Sequence, residues 1–238
     1  MRNRFFAITG GVLLLALVLA LGAGCGGKGE GEEQAAISQI PDSLETFAQK
    51  IAWLIPQSFQ SLEFACANKA DQKIDAAINL KAYVPAETFF SLFEGIDVAY
   101  RNLYYGWETF GAVYPVDPQL PMDSTMVLLQ LEARSRLVEQ IRLVEEQVGN
   151  ITDEAQRLQV EKDLDEMRAT LKQVEEGGVR LYGAEVRALP NDLKSIMFRP
   201  EGLVRVIFPG IPQEGSWVRI SPTRLERLLQ APPPQSGS

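Results

Sequence analysis

The apolar positions of the chain follow two patterns, one continuous and one periodic, and these divide it before any side-chain chemistry is weighed. Residues 5–24 form a run of 20 positions without a charge. Residues 26–36, "GGKGEGEEQAA", hold glycine and charge with no sizeable apolar side chain. They read as a flexible tether with a root-mean-square span on the order of 18 Å. A helical period then begins, with Leu44, Phe47, Ile51 and Leu54 at steps of three and four, Asp42 or Ser43 as cap, and Pro56 as interruption. A second, weaker helix is predicted through "DQKIDAAINLKAYV", on Ile74, Ala77 and Ile78, ending at Pro85.

The clearest aromatic pattern follows. Phe89, Phe93, Ile96, Tyr100, Leu103, Trp107 and Phe110 step by 4, 3, 4, 3, 4 and 3, which describes one stripe of a helix packed on a core. Phe90, Tyr104 and Tyr105 exceed what one such face needs, so a second reading places a ligand groove at Tyr100, Tyr104, Tyr105 and Trp107. Prolines 115, 118 and 121 then mark a loop. Beyond it, Leu137, Ile141, Val144, Val148 and Ile151 are spaced as one helical stripe, and Val160, Leu164, Met167, Leu171 and Val174 as another. Gly149 and Asn150 stop the first helix, and Thr152, Asp153 and Glu154 start the next. Arms over 125–148 and 152–176 predict an antiparallel helical hairpin about 36 Å long. A single continuous coiled-coil helix, which would form a dimer, is the alternative.

Past Gly177 and Gly178 the period changes. "VRLYGAEVRAL", "LVRVIF" and "SWVRI" read as strands, "DLKSIMF" as a short helix, and "SPTRLERLLQ" as a helix capped by Ser221 with Pro222 at its first position. This βαββα order predicts a small sheet with helices on one face, and the connection 189–202 is long enough for a crossover between parallel strands. The stretch "YGAEVRALPNDLKSIMFRPEGLVRVI" is similar to the strand, short helix and strand in the second half of subtilisin-type inhibitor propeptides, a likeness of form from which no inhibitory activity is inferred. The fold predicted from these patterns is mainly α. It comprises a helical domain over 37–123, a helical hairpin or coiled coil over 124–177, a small C-terminal α/β domain over 178–230 and a solvated tail over 231–238.

The apolar run at the start has further content. Arg2 and Arg4 precede it, and Gly22, Ala23 and Gly24 stand immediately before Cys25. That is the basic, apolar and small-residue plan of a secretory signal. With the cysteine in that place, the segment resembles the lipobox of bacterial lipoproteins over about its first 27 residues. The resemblance implies removal of residues 1–24 as a signal peptide, a diacylglycerol on Cys25 and usually an acyl chain on its new amino terminus. It also implies residence at the membrane on the extracytoplasmic side, in a periplasm or at the cell surface. Gly22 stands where that family prefers leucine, with Leu21 one place further out. The run is also long enough to span a hydrocarbon core of ~30 Å at ~1.5 Å per residue, so an uncleaved signal anchor stays open. Both readings put the chain after Cys25 outside, by the bias of basic residues to the cytoplasmic side.

Charge and composition narrow the functions. The chain has 31 acidic and 23 basic residues and no histidine. Without residues 1–24 it has 21 basic residues against the same 31 acids, a net of −10. Such an acidic surface argues against nucleic acid and against a polybasic grip on anionic lipid. The lack of histidine removes Ser-His-Asp and Cys-His catalysis and the HExxH metal sites. What remains is carboxylate chemistry, with Glu87, Glu94 and Asp97 beside the aromatic stripe, although Asp97 and Arg101 are spaced as a helix ion pair. With Cys25 acylated, Cys66 has no intrachain partner and reads as a small buried apolar residue. We therefore assign no catalytic residue, metal ligand or cofactor. The expected function is a non-enzymatic module, anchored to the membrane through lipid on Cys25, that binds another envelope protein through the hairpin. The alternative is binding of a small apolar or saccharide ligand at the Tyr100–Trp107 rings.

Overall fold

A computed structural model describes residues 46–107, 110–199, 202–213 and 216–230. Cys25, residues 1–36, the predicted cap at Asp42 or Ser43 and the tail 231–238 lie outside the described residues. Helix α1 (Phe47–Asn68) begins at Thr46, whose hydroxyl accepts from the Gln49 amide while the Gln49 side chain accepts from the Thr46 amide. This reciprocal pairing satisfies two of the free amides of a helix start. The helix runs straight through Pro56 rather than stopping there. Ala52 and Pro56 are both exposed, so the carbonyl that proline cannot bond lies on the side open to water.

Strand β1 (Ile74–Pro85) occupies the segment in which a weak helix is expected. Ala76, Ala77, Ile78, Asn79 and Leu80 are all buried. A strand covered on both faces shows a continuous apolar run instead of alternation, and such a run cannot be told from a buried helix by period. Helix α2 (Ala86–Ser91) follows, then β2 (Ala99–Trp107) and β3 (Phe110–Pro115).

The aromatic stripe is therefore not one helix. Phe89 lies on α2, Gly95 turns the chain at φ 78°, and Tyr100, Leu103 and Trp107 lie on β2. The helical spacing has a local cause. The pairing of β2 with its neighbour shifts register between Tyr100 and Asn102, so an irregularity turns a step of two into the step of three from Tyr100 to Leu103. The next step of four is two strand alternations through Tyr105.

Helices α3 (Met122–Val148) and α4 (Glu154–Gly177) come next. They run antiparallel, as Gln130 donates to the Val174 carbonyl at one end and Arg168 pairs with Glu145 nearer the other. The Asp153 carboxylate caps α4 by accepting from the Gln156 amide. Strand β4 (Arg180–Ala188), helix α5 (Pro190–Ile196), strand β5 (Val204–Pro209) and helix α6 (Pro222–Gln230) complete the described chain. Residues Trp217–Arg219, expected as a strand, form a single 3₁₀ turn.

The five strands form one antiparallel sheet in the order β3-β2-β4-β1-β5. This overturns the expected fold class. The protein is not mainly α with a helical domain, a coiled-coil hairpin and a separate C-terminal α/β domain. Instead the described residues form six α-helices and a five-stranded sheet whose strands come from both halves of the chain. Strand β1 lies between β4 and β5, so the expected crossover joins two strands that are not neighbours. Leu129, Ala133 and Leu137 of α3 and Val174 of α4 belong to the same core as Ile78, Leu103, Tyr105, Val186 and Ile207 of the sheet. The long helices are thus part of the sheet's core rather than a self-contained coiled coil. A smaller cluster joins Ile51 and Leu54 of α1 to Leu225 of α6.

Candidate functional site

The most polar point of the interior is Glu185, at the centre of β4 and 1% exposed. The Tyr104 hydroxyl donates to its Oε1 at 2.7 Å, the Arg219 Nε donates to the same oxygen at 2.8 Å, and the Asn102 amide donates to Oε2. Arg219 also forms the ion pair, at 2.6 Å. Burial, and secondarily the Glu185 carboxylate, push the Tyr104 hydroxyl far above its usual pKa, so it stays a donor.

The backbone around Arg219 is held as firmly. Tyr182 donates to the Arg219 carbonyl at 2.8 Å, and the Asn79 amide donates to the carbonyls of Val218 and Ile220 at 2.8 and 3.1 Å. Gly183 makes room for this arrangement, since a Cβ there would lie 2.2 Å from the Ile78 carbonyl oxygen and 2.6 Å from Cδ2 of Tyr104. A carboxylate that is 1% exposed and holds three donors from its own chain faces inward rather than toward a substrate. Glu185 is therefore a tie that fastens segment 217–221 to the sheet. A lone glutamate in the apolar stretch "LYGAEVRA" is the one signal in the sequence that could have found it.

Of the residues expected as a groove, Tyr104 turns to this tie. Tyr105, fully buried, faces the other way, with its hydroxyl 3.5 Å from Glu132 of α3. Tyr100 stands edge-on to Phe90 and Phe93 at 5.5 and 5.3 Å. Trp107 is half-buried against the main core, and its carbonyl accepts from Tyr83. Tyr100, Tyr105 and Trp107 belong to or pack on the main core, whereas Tyr104 lies outside that cluster, at the Glu185 tie. The acids beside them do not converge either. Asp97 pairs with Lys73 at 2.6 Å and Arg101 with Asp75 at 2.8 Å, in place of the expected Asp97–Arg101 pair, because this segment is the approach to a strand and not a helix. Glu87 and Glu94 are exposed. Among the described residues, no group of three or more His, Cys, Asp or Glu side chains could hold a metal ion. Cys66 is a free thiol, half-buried where full burial is expected. Burial raises its pKa, and Lys194, paired with Glu63 nearby, draws it back.

A cavity of about 300 Å³ lies where α1 meets β5, lined by Ile55, Pro56, Phe59, Met197, Arg205 and Ile207 among others. Burial lowers the Arg205 pKa, and its Nη1 is enclosed without an acceptor among the described residues.

Among the described residues, the outer face of α3 carries several exposed apolar side chains. Thr125, Leu129, Ala133, Leu137 and Ile141, four residues apart, are buried. On the opposite side Ser124, Leu128, Leu131, Ser135, Val138 and Arg142 step by 4, 3, 4, 3 and 4, and all six are exposed. Val127 adds to this strip at 59% exposure, beside Leu131 at 57%. Alternating steps of three and four are the seam that one helix presents to another in knobs-into-holes packing. The helix and the stripe beginning at Leu137 match the pattern expected from the sequence, whereas this second seam lies outside that expectation. Its signal was available, since a helix with more apolar positions than one face can hold must show some of them to solvent or to a partner.

Comparison with known proteins returned no match to a family model, to a curated protein or to a solved structure. No helix among the described residues is long and apolar enough to cross a membrane.

Proposed function

We propose that this protein is a non-enzymatic docking module, tethered by lipid on Cys25 to the extracytoplasmic side of the cell membrane, that engages another envelope protein through the outer face of α3. The observation that carries this reading is the exposed seam Leu128, Leu131 and Val138 with Val127 beside it, on a helix whose opposite face is already buried. Exposed apolar residues gathered into one strip mark interaction surfaces, whereas scattered ones do not. Glu185 supports a binding role over a catalytic one, as the most buried acid is consumed in holding the fold. The lipid tether rests on the layout of Arg2, Arg4, the apolar run and Cys25. Two or more acyl chains hold a protein stably at a membrane, while one gives marginal binding.

A photoreactive residue at position 131, compared with one at position 158, tests the docking reading in native membranes. Leu158 is also exposed but lies on α4, off the seam. An adduct with one protein species from 131 and none from 158 supports it; no adduct from 131 overturns it. Fatty-acid labelling tests the tether separately, being expected on the wild type and absent from Cys25→Ser. An unlabelled wild type that retains residues 1–24 would replace lipidation with a signal anchor.

A further inference from the structure

We propose that the cavity between α1 and β5 binds a small organic acid, its carboxylate held by Arg205 and its compact apolar body packed between the two elements. The site is separate from the α3 seam and stands whether or not that seam is occupied. Its lining has the make-up of a ligand site, an apolar surface with very few polar groups. Ile55, Pro56 and Phe59 of α1, Met197 just after α5, and Val206 and Ile207 of β5 are apolar, and Gln60 is polar but uncharged. Among the described residues Arg205 is the one charged side chain of the lining. The cavity also has a floor and a mouth. Val206 and Ile207 are 2% and 1% exposed, while Pro56, Phe59 and Gln60 are open to water. A ligand entering past α1 therefore buries its body against β5.

What selects an acid is the state of that arginine. Its side chain is 14% exposed, so little water reaches it. Nη2 donates to the Lys81 carbonyl at a long 3.4 Å, and it stands 3.9 Å from a Glu226 carboxylate that is itself 60% exposed, beyond hydrogen-bond length. Nη1 is enclosed with no acceptor among the described residues. A buried donor left without an acceptor costs free energy, the more so when it is charged. An incoming carboxylate removes that cost, since a small turn of the fork gives Nη1 an acceptor and lets the planar guanidinium grip both carboxylate oxygens. An amine would meet a like charge, and an alcohol brings one neutral oxygen in place of two charged ones. The dimensions set the body. A volume of about 300 Å³ lies at the small end of ligand cavities, with room for one ring on a short chain and not for the two chains of a membrane lipid.

The test uses the full chain in nanodiscs of zwitterionic lipid, with empty nanodiscs as the blank, and three probes that share one body: phenylbutyrate, phenylbutanol and phenylbutylamine. Ligand-observed NMR titration is expected to show the acid binding at least about tenfold more tightly than the alcohol, and the amine more weakly than either. Arg205→Gln is expected to bring the acid down to the affinity of the alcohol while leaving the alcohol unchanged. Phe59→Ala, which trims the apolar mouth, is expected to weaken acid and alcohol alike by about threefold or more. Circular dichroism checks that both variants are folded, and the comparison of probes on the wild type needs no variant at all. Equal affinity for acid and alcohol, acid binding that survives Arg205→Gln in a folded protein, or no saturable binding of the acid above the blank overturns the proposal.

Discussion

The two faces of α3 are made of similar residues and have opposite fates. Leu129, Ala133 and Leu137 on the inner face share the main core with the sheet and with Val174 of α4, whereas Leu128, Leu131 and Val138 on the outer face are 43%, 57% and 43% exposed. Both faces are apolar, so hydrophobicity alone does not tell them apart. Their difference is that the inner residues have partners supplied by strands distant in sequence. Removing an inner side chain empties a packed site, while removing an outer one changes only what the surface can bind. The Glu185 tie belongs with the inner face in this respect, for both of its carboxylate oxygens are met by donors from within the chain.

The largest effect is expected at that tie. Glu185→Ala leaves the Arg219 guanidinium and the Tyr104 hydroxyl without their acceptor, and breaking one side of a buried pair should cost about 3–5 kcal/mol in denaturant unfolding. A cost below about 1 kcal/mol would place Glu185 with the surface carboxylates instead. Next comes the inner face of α3. Leu137→Ala creates a cavity in the main core and should lower stability by roughly 2–5 kcal/mol.

Alkaline pH probes the enclosed side as a whole. Burial raises the hydroxyl pKa of Tyr100, Tyr104, Tyr105 and Tyr182. A raised folded pKa means that the folded state keeps the proton that the unfolded chain releases near pH ~10. The stabilisation is therefore complete below that pH and drains away as pH rises past it. Tyrosinate absorbance should appear together with loss of the circular-dichroism signal; ionisation of these tyrosines in a still-folded protein would show that they are wetter than their packing implies. The smallest effect is expected outside. Leu131→Gln should change stability by no more than about 0.5 kcal/mol, because the side chain is mostly exposed. Were its cost to match that of Leu137→Ala, the distinction between the two faces would collapse, and with it the case for a docking seam.

Much of the secondary structure was legible residue by residue. Arms expected over 125–148 and 152–176 are the helices Met122–Val148 and Glu154–Gly177, and strands were expected where β4 and β5 lie. Local signals sufficed there, because glycine, asparagine and aspartate act through their own backbone and neighbouring amides. The first half of the sheet was not legible. Strand β1 is buried on both faces and lacks alternation, and β2 takes on a helical spacing from one irregularity near Tyr100. Of the proposed docking surface, α3 was legible as a helix, but its outer seam lies apart from the stripe starting at Leu137. The proposed groove joined Tyr104 to Tyr105 through proximity in sequence, although a strand sends such neighbours to opposite sides.

By itself the sequence determined the acidic surface, the absence of imidazole chemistry, the signal-like start with its cysteine, and where most helices begin and end, since each of these depends on composition or on contacts within a few residues. Only the tertiary structure decided that β1 enters between β4 and β5, that Glu185 is spent on Tyr104, Asn102 and Arg219, and which face of α3 stays bare. Those outcomes depend on pairings between residues up to 139 or 141 positions apart, as for Asn79 with Val218 and Ile220. A pairing of that range is selected by the packing of the whole core rather than by local preference.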